Sequence, residues 1–149
     1  MALDAITRRL FPLFVKVNSA VYRWTGGSVG GTMRGAPILL LTTTGRKTGE
    51  ERTTPLLYLA DGDRLAIVAS AGGAPAHPGW YHNLCANPDV RVQIRKDVRP
   101  MRAEVAAPEE RADLWPKLVA LYRDYATYQT RTTREIPVVV LTPAAQPAA

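Results

Sequence analysis

The feature that most limits the fold is a succession of short apolar runs between Pro37 and Val105, each closed by a turn signal. Ile38-Leu39-Leu40-Leu41-Thr42-Thr43-Thr44 has the length and β-branched content of a largely buried strand. After Gly45-Arg46-Lys47-Thr48-Gly49 comes a second strand, Arg52 to Leu59, in which Pro55 demands an edge or a bulge. Asp61-Gly62 signals a hairpin, and Leu65 to Ser70 reads as a third strand. The loop 71–78 leads into a short helix from about Gly79 to Ala86, ended by Asn87-Pro88-Asp89. Val90 to Ile94 alternates apolar and polar residues like a half-buried strand. Val98 to Val105, with Pro100 inside it, is its partner, and Ile136 to Leu141 is the last strand.

Helical spacing is confined to the two ends. Ile6, Leu10, Leu13, Phe14, Val17, Val21 and Trp24 recur as on one helix face, with Arg8, Arg9, Lys16 and Arg23 among them and Pro12 as a bend. This stretch lacks the unbroken apolar core and small-residue cleavage site of a signal peptide. It reads either as a helix packed on its own domain or as a basic amphipathic helix on a membrane face. Near the other end, Pro108-Glu109-Glu110 opens a long C-terminal helix, bent at Pro116. Leu114, Leu118, Leu121, Tyr125 and Tyr128 form its apolar stripe, with Tyr122 to one side. Hairpins with few helices predict an α+β fold, a mostly antiparallel sheet or barrel with flanking helices. The expected organisation is an N-terminal helix and glycine-rich loop (1–34), one domain (35–143) and a disordered tail (144–149).

Composition narrows the partners. The 149 residues suffice for one domain, and 19 Lys and Arg against 13 Asp and Glu leave a net charge of +6. That balance favours an anion: nucleic acid, an acidic membrane surface or a phosphorylated small molecule. The lone Cys85 excludes an internal disulfide framework and fits a reducing interior. The turn 45–49 suits a phosphate, because two glycines let backbone N–H groups converge while Arg46, Lys47, Thr48 and, from the next strand, Arg52 add donors. It is not a P-loop, since a strand follows it and the glycine-lysine-threonine order is absent. Side-chain catalysis has few candidates. His77, His82 and Cys85 are too few ligands for a zinc site; Cys85 reads as a small buried residue and His82 as a helix-surface or hydrogen-bonded one. No acidic pair has catalytic spacing, so an enzyme of this sequence would rely on a bound cofactor. Tyr122, Tyr125 and Tyr128 read either as core or as a pocket wall against a planar ring.

Taken together, Gly35 to Gly49, Val68 to Gly73, Pro78 to Leu84, Ala86 to Val90, Tyr125 to Gln129 and Thr133 to Val138 resemble the deazaflavin-dependent nitroreductases over roughly residues 34 to 142. The resemblance implies a split β-barrel and the cofactor F420, a deazaflavin with a phosphate and an oligoglutamate tail. It implies an oxidoreductase that passes a hydride from reduced F420 to a quinone, nitroaromatic or activated alkene. By the family pattern Arg46, Lys47, Thr48 and Arg52 hold the phosphate. Thr53, Thr54, Pro55, Leu56 and Leu57 run along the deazaflavin. Val68, Ala69, Ser70 and Ala71 meet the ring; Gly79, Trp80, Tyr81, His82 and Asn83 close the other side, Trp80 as an aromatic wall. Tyr125 touches the cofactor, while Tyr122 and Tyr128 border the acceptor. Ser70, Tyr125 and Tyr128 are the candidate proton or hydrogen-bond donors. The rival readings are an FMN-binding split barrel and a basic module for membrane or nucleic acid. Aromatic residues gathered on helices rather than along a basic stripe disfavour nucleic acid. The expected setting is the cytoplasm, with residues 1–24 on the inner face of the plasma membrane, and split barrels of this kind often pair as homodimers.

Overall fold

The computed structural model describes residues 32–33 and 36–144; the expected helix over 1–24, and all but Ala144 of the tail, lie outside the described residues. In chain order the strands are β1 (Thr32–Met33), β2 (Ala36–Thr44), β3 (Glu51–Leu57), β4 (Leu59–Asp61), β5 (Arg64–Val68), β6 (Asp89–Ile94), β7 (Asp97–Val105) and β8 (Val138–Pro143). The helices are α1 (Gly79–Ala86), α2 (Pro108–Leu121) and α3 (Asp124–Thr130). Every strand pairing is antiparallel. The sheet runs β1-β2-β6-β7-β8-β5-β4, with β3 also paired to β2. β3 and β4 are therefore consecutive pieces of one run, one piece bonded to β2 and the other to β5. Tyr58 lies between them, and its N–H donates to the Pro37 carbonyl at 3.2 Å. This is a split β-barrel, in agreement with the fold the resemblance implied.

The unbroken apolar run of β2 follows from burial on both faces. Leu39 and Leu41 point into a cluster with Ile67, Met101, Val139, Leu141 and, from α1, Trp80 and Leu84. Ile38 and Leu40 point the other way, into a cluster with Val68, Val138, Leu114, Leu118, Tyr122 and Tyr125. β5 and β8 divide in the same way between the two clusters. Strands β6 and β7 have one covered face. Val90, Val92, Met101 and Ala103 are buried, while Arg91, Arg102 and Glu104 are exposed, which is the alternation visible in the sequence. Truncating a residue such as Leu118, 1% exposed, would cost about 2–5 kcal/mol.

Pro55 stands where its strand has one paired neighbour, and Pro100 at the margin of the β7–β8 pairing, where its carbonyl accepts from the Ala144 N–H at 3.2 Å. Pro55 lies opposite Leu40, and Pro100 lies opposite Arg91 just before the β7–β8 ladder begins at Met101. Two expectations fail. The C-terminal helix is not continuous: Tyr122 takes an extended conformation (φ −148°, ψ 100°) and separates α2 from α3, whereas Pro116 sits inside α2 without ending it. A continuous helix would hold Tyr122 beside the stripe. The break lets its ring enter the core, where it is 8% exposed. Cys85 is exposed, because α1 turns Trp80, Asn83 and Leu84 inward and the next residue falls about 100° further round the helix.

Candidate active site

The turn between β2 and β3 is closed by its own backbone. Gly45 N–H donates to Glu50 O at 2.7 Å and Gly49 N–H to Gly45 O at 2.8 Å. The Thr48 hydroxyl accepts from the Glu50 N–H at 3.2 Å. Gly49 adopts φ +74°, the left-handed region glycine enters without a Cβ penalty. Helix α1 then fixes the turn through Asn83, buried at 6% exposure. The Asn83 carboxamide oxygen accepts from the Arg46 N–H at 3.2 Å and from Arg46 Nη1 at 3.0 Å. Its NH2 group donates to Thr43 Oγ1 at 3.2 Å, and Arg46 Nη1 also reaches Gly79 O at 3.5 Å. One face of the Arg46 guanidinium is thus anchored and the rest is left at the surface.

Arg46, Lys47, Thr48 and Gly49 are all exposed. Among the described residues, neither Arg46 nor Lys47 has a carboxylate partner, whereas Arg52 is paired with Glu50 at 3.4 Å. A pre-ordered loop with two cations that no described carboxylate neutralises, and a hydroxyl, is the donor set a phosphate needs. Arg52, on the next strand, shares its charge with Glu50.

Running from that turn, β2 and β3 form one floor. Thr42 and Thr53 face each other with hydroxyls 2.9 Å apart, followed by the Leu40–Pro55 and Ile38–Leu57 pairs. Thr54 and Leu56 pair with Leu41 and Leu39 and share their inward face. From Thr44 to Leu40 and Ile38 is four to six residues, roughly 13–20 Å of strand. At the far end stand Val68, Tyr122 and Tyr125, in the same cluster as Leu40 and Leu57.

The three tyrosines gather although the helix carrying them is broken. Ring centroids are 5.1 Å apart for Tyr122–Tyr125, 6.3 Å for Tyr122–Tyr128 and 6.4 Å for Tyr125–Tyr128, all tilted or edge-to-face. The Tyr122 and Tyr128 hydroxyls lie 3.3 Å apart. Tyr125 is 5% exposed, and burial pushes its phenol well above the usual tyrosine range. The hydrogen bond with Tyr128 does the same for Tyr122, with burial second. Both phenols therefore stay protonated at neutral and mildly alkaline pH. Tyr128 is half-buried.

Ser70 lies on the loop after β5, half-buried, next to Ala69 at 0% exposure and exposed Ala71. Gly73 presses this loop onto α3: a Cβ there would sit 2.6 Å from the Tyr128 carbonyl oxygen. Arg134 binds the same loop by donating to Ala69 O, Ser70 O and Ala74 O at 3.3, 2.8 and 2.9 Å. Sequence reasoning gave Arg134 and Gly73 no role, and nothing in their local pattern would have supplied one.

The structure thus brings together the turn 46–49 with Gly79 and Asn83, and Val68 and Leu57 with the tyrosines. The Ser70 loop stands against Tyr128. Trp80 is placed differently from the aromatic wall the resemblance implied: it is 8% exposed and fills the inner cluster under the barrel. Leu56 and Tyr81 pack against that same cluster, and His82 is exposed.

The chain matches the family model described as F420H(2)-dependent quinone reductase over residues 14–143. It is 47% identical over 132 residues to an F420H(2)-dependent quinone reductase of Mycobacterium tuberculosis (strain H37Rv), covering 86% of this chain and 89% of the relative. Among solved structures it resembles an F420-H2 dependent reductase (FDR-A) with TM-score 0.66 and 46% identity, covering 70% of this chain and 93% of that one. A second, described as a domain-swapped dimer, has TM-score 0.66 and 36% identity, covering 95% and 99%. On this match the chain belongs to the F420H(2)-dependent quinone reductase family.

Proposed function

We propose that the chain binds F420 across the β2–β3 floor, phosphate at the Gly45–Gly49 turn and ring against the tyrosines, and reduces a quinone-type acceptor. The observation that carries this reading is the anchored Arg46: Asn83 orients it at one end of the strand whose other end packs on Tyr125. When bound and reduced, F420 supplies the hydride. Arg46, Lys47 and Thr48 hold the phosphate, and the net charge of +6 attracts the acidic tail. Thr53 to Leu57 support the flat ring from one side. Val68 to Ala71 meet its edge, with the Ser70 hydroxyl and backbone as polar contacts.

The tyrosine wall excludes water and receives the acceptor. A quinone that takes up a hydride gains an electron pair and needs a proton, so negative charge grows on its oxygen. Tyr128, the least buried of the three, presents its hydroxyl there, and the Tyr122 hydroxyl 3.3 Å behind it polarises it. Tyr125, deeply buried, keeps the wall in shape and touches the ring. Among the described residues no helix is long and apolar enough to cross a membrane. A lipid quinone is met, in this reading, at the inner membrane face by residues 1–24, with the protein cytoplasmic and dimeric like its domain-swapped relative.

The test is titration of the purified protein with F420 by fluorescence, with FMN alongside. Turnover of reduced F420 then follows against a menaquinone analogue, a nitroimidazole and a plain enone. Binding of F420 but not FMN, with menaquinone turnover, is the expected result; FMN binding alone would overturn it. Loss of liposome binding on deleting residues 1–24 would support the membrane arm.

A further inference from the structure

The loop 69–77 is held in an unusual shape. Ala71, Gly72 and Gly73 all have positive φ, at 46°, 66° and 84°. Its own backbone contributes two bonds, Gly73 N–H to Ser70 O at 2.9 Å and Ala74 N–H to Ala71 O at 3.1 Å. Most of its restraint comes from the connection between α3 and β8. Arg134 donates to three of the loop's carbonyls, and its Nη1 lies 2.9 Å from His77 Nδ1. Arg131 Nη1 reaches Gly72 O at 3.4 Å.

The mount of Arg134 is itself rigid. Gln129 Nε2 donates to Arg134 O at 2.8 Å, and Gln129 Oε1 accepts from the Ile136 N–H at 3.0 Å. Arg111 Nε donates to Ile136 O at 3.0 Å and Nη2 to Gln129 Oε1 at 3.3 Å, tying the connection to α2. One residue therefore links the two walls of the site: its guanidinium holds the loop with Ser70, and its carbonyl is held by Gln129 of the helix that carries Tyr125 and Tyr128.

A guanidinium has donors and no acceptor. His77 Nδ1 must then accept, which fixes the neutral imidazole with its proton on Nε2. The groups facing His77 are Arg134 from the α3–β8 connection and, from α1, Tyr81 and His82, with ring centroids at 4.5 and 5.7 Å. Arg134 and His82 both disfavour a positive imidazole. We propose that Arg134 is a positioning residue for hydride transfer, holding the Ser70 loop in register with the tyrosine helix, and that this clamp works only while His77 is uncharged. Burial first, then Arg134 and His82, push the imidazole below its ordinary value of 6.5, so the clamp is intact at neutral pH. As pH falls through the lowered value, a proton on Nδ1 would meet the guanidinium head-on and release the loop. The catalytic part of this inference rests on the F420 reading above; the mechanical part does not.

The experiment has two arms. In the first, amide hydrogen exchange is followed at Gly73 and Ala74 in the full chain without cofactor, for wild type, Arg134→Lys and Arg134→Gln. Protection at both amides should fall at least about tenfold in Arg134→Gln and less in Arg134→Lys, which keeps the charge but not the fork. Unchanged protection in Arg134→Gln would overturn the clamp, whatever the cofactor. In the second, F420H2 oxidation is measured from pH 4.5 to 8 for wild type and His77→Asn, whose Oδ1 replaces Nδ1 as an acceptor that does not titrate. Each rate is normalised to the same enzyme at pH 8. Wild type should lose kcat on the acid side while His77→Asn stays flat. At pH 8, Arg134→Gln should lose about tenfold in kcat with its F420 dissociation constant within about twofold of wild type. Parallel acid limbs in wild type and His77→Asn would overturn the pH dependence. Wild type failing to oxidise F420H2 at every pH would overturn the F420 reading and with it the catalytic part, and leave the first arm to decide the clamp.

Discussion

The two ends of the β2–β3 floor are ordered by different physics. At the turn, order comes from hydrogen bonds to backbone and to one buried amide, and the functional groups stand in water. At the tyrosine end it comes from apolar packing, and the polar groups are the exception. A preformed cationic turn contributes affinity, because the charge it meets is the same before and after the reaction. A buried wall with one accessible phenol contributes rate, because its hydrogen bond strengthens only as charge moves. Substitutions at the two ends should therefore separate binding from turnover.

The sharpest way to break that contrast is charge reversal at the turn. Arg46→Glu/Lys47→Glu should weaken F420 about a thousandfold, two charge-assisted contacts at about 1.5–3 kcal/mol each, with circular dichroism unchanged. A large loss of kcat at saturating F420 would show that the turn does more than bind. Next in size, Tyr128→Phe should lower kcat roughly a hundredfold, on the scale of an oxyanion donor, and leave the F420 dissociation constant within about twofold. Equal changes in both would merge the two ends into one.

Glycine substitutions compare the backbones directly. Gly73 and Gly49 both have positive φ, but a Cβ at Gly73 meets the Tyr128 carbonyl oxygen at 2.6 Å while one at Gly49 meets nothing within 4 Å. Gly49→Ala should cost only the left-handed penalty of about 1–2 kcal/mol. Gly73→Ala should cost more than that, about 3 kcal/mol or above, because α3 must also shift. Thermal melting of the two variants checks the order. The smallest effect is alkaline. Tyr122 and Tyr125 have phenols raised above the ordinary value of 10.0, so their contribution to stability is full below pH 10 and falls as pH rises beyond it. Melting temperature between pH 9 and 11 should therefore decline less in Tyr125→Phe than in wild type.

Most of the strand pattern was legible because its causes are local. Continuous β2 against alternating β6 reports two covered faces against one, and Pro55 announces a strand with a single neighbour. The turn 45–49 was legible for the same reason: its glycines and cations are adjacent. What stayed hidden depends on distant contacts. Asn83 engages Arg46 across 37 positions, and Arg134 reaches Ala69 across 65. The break at Tyr122 was masked because Leu114, Leu118, Tyr125 and Tyr128 keep helical spacing across it, and only packing shows that Tyr122 leaves the helix to bury its ring. Cys85 was assigned to the interior by residue type, and the helix phase of α1 overrides that preference.

The run 51–61 pairs with β2 through one piece and with β5 through the other, so a one-residue insertion within either piece would turn the side chains on one side of it to the opposite face or break its pairing. Such a lesion would misthread a length of strand instead of editing a single position. Length along that run is thus fixed by the pairing on both sides, while its surface can be retuned one side chain at a time.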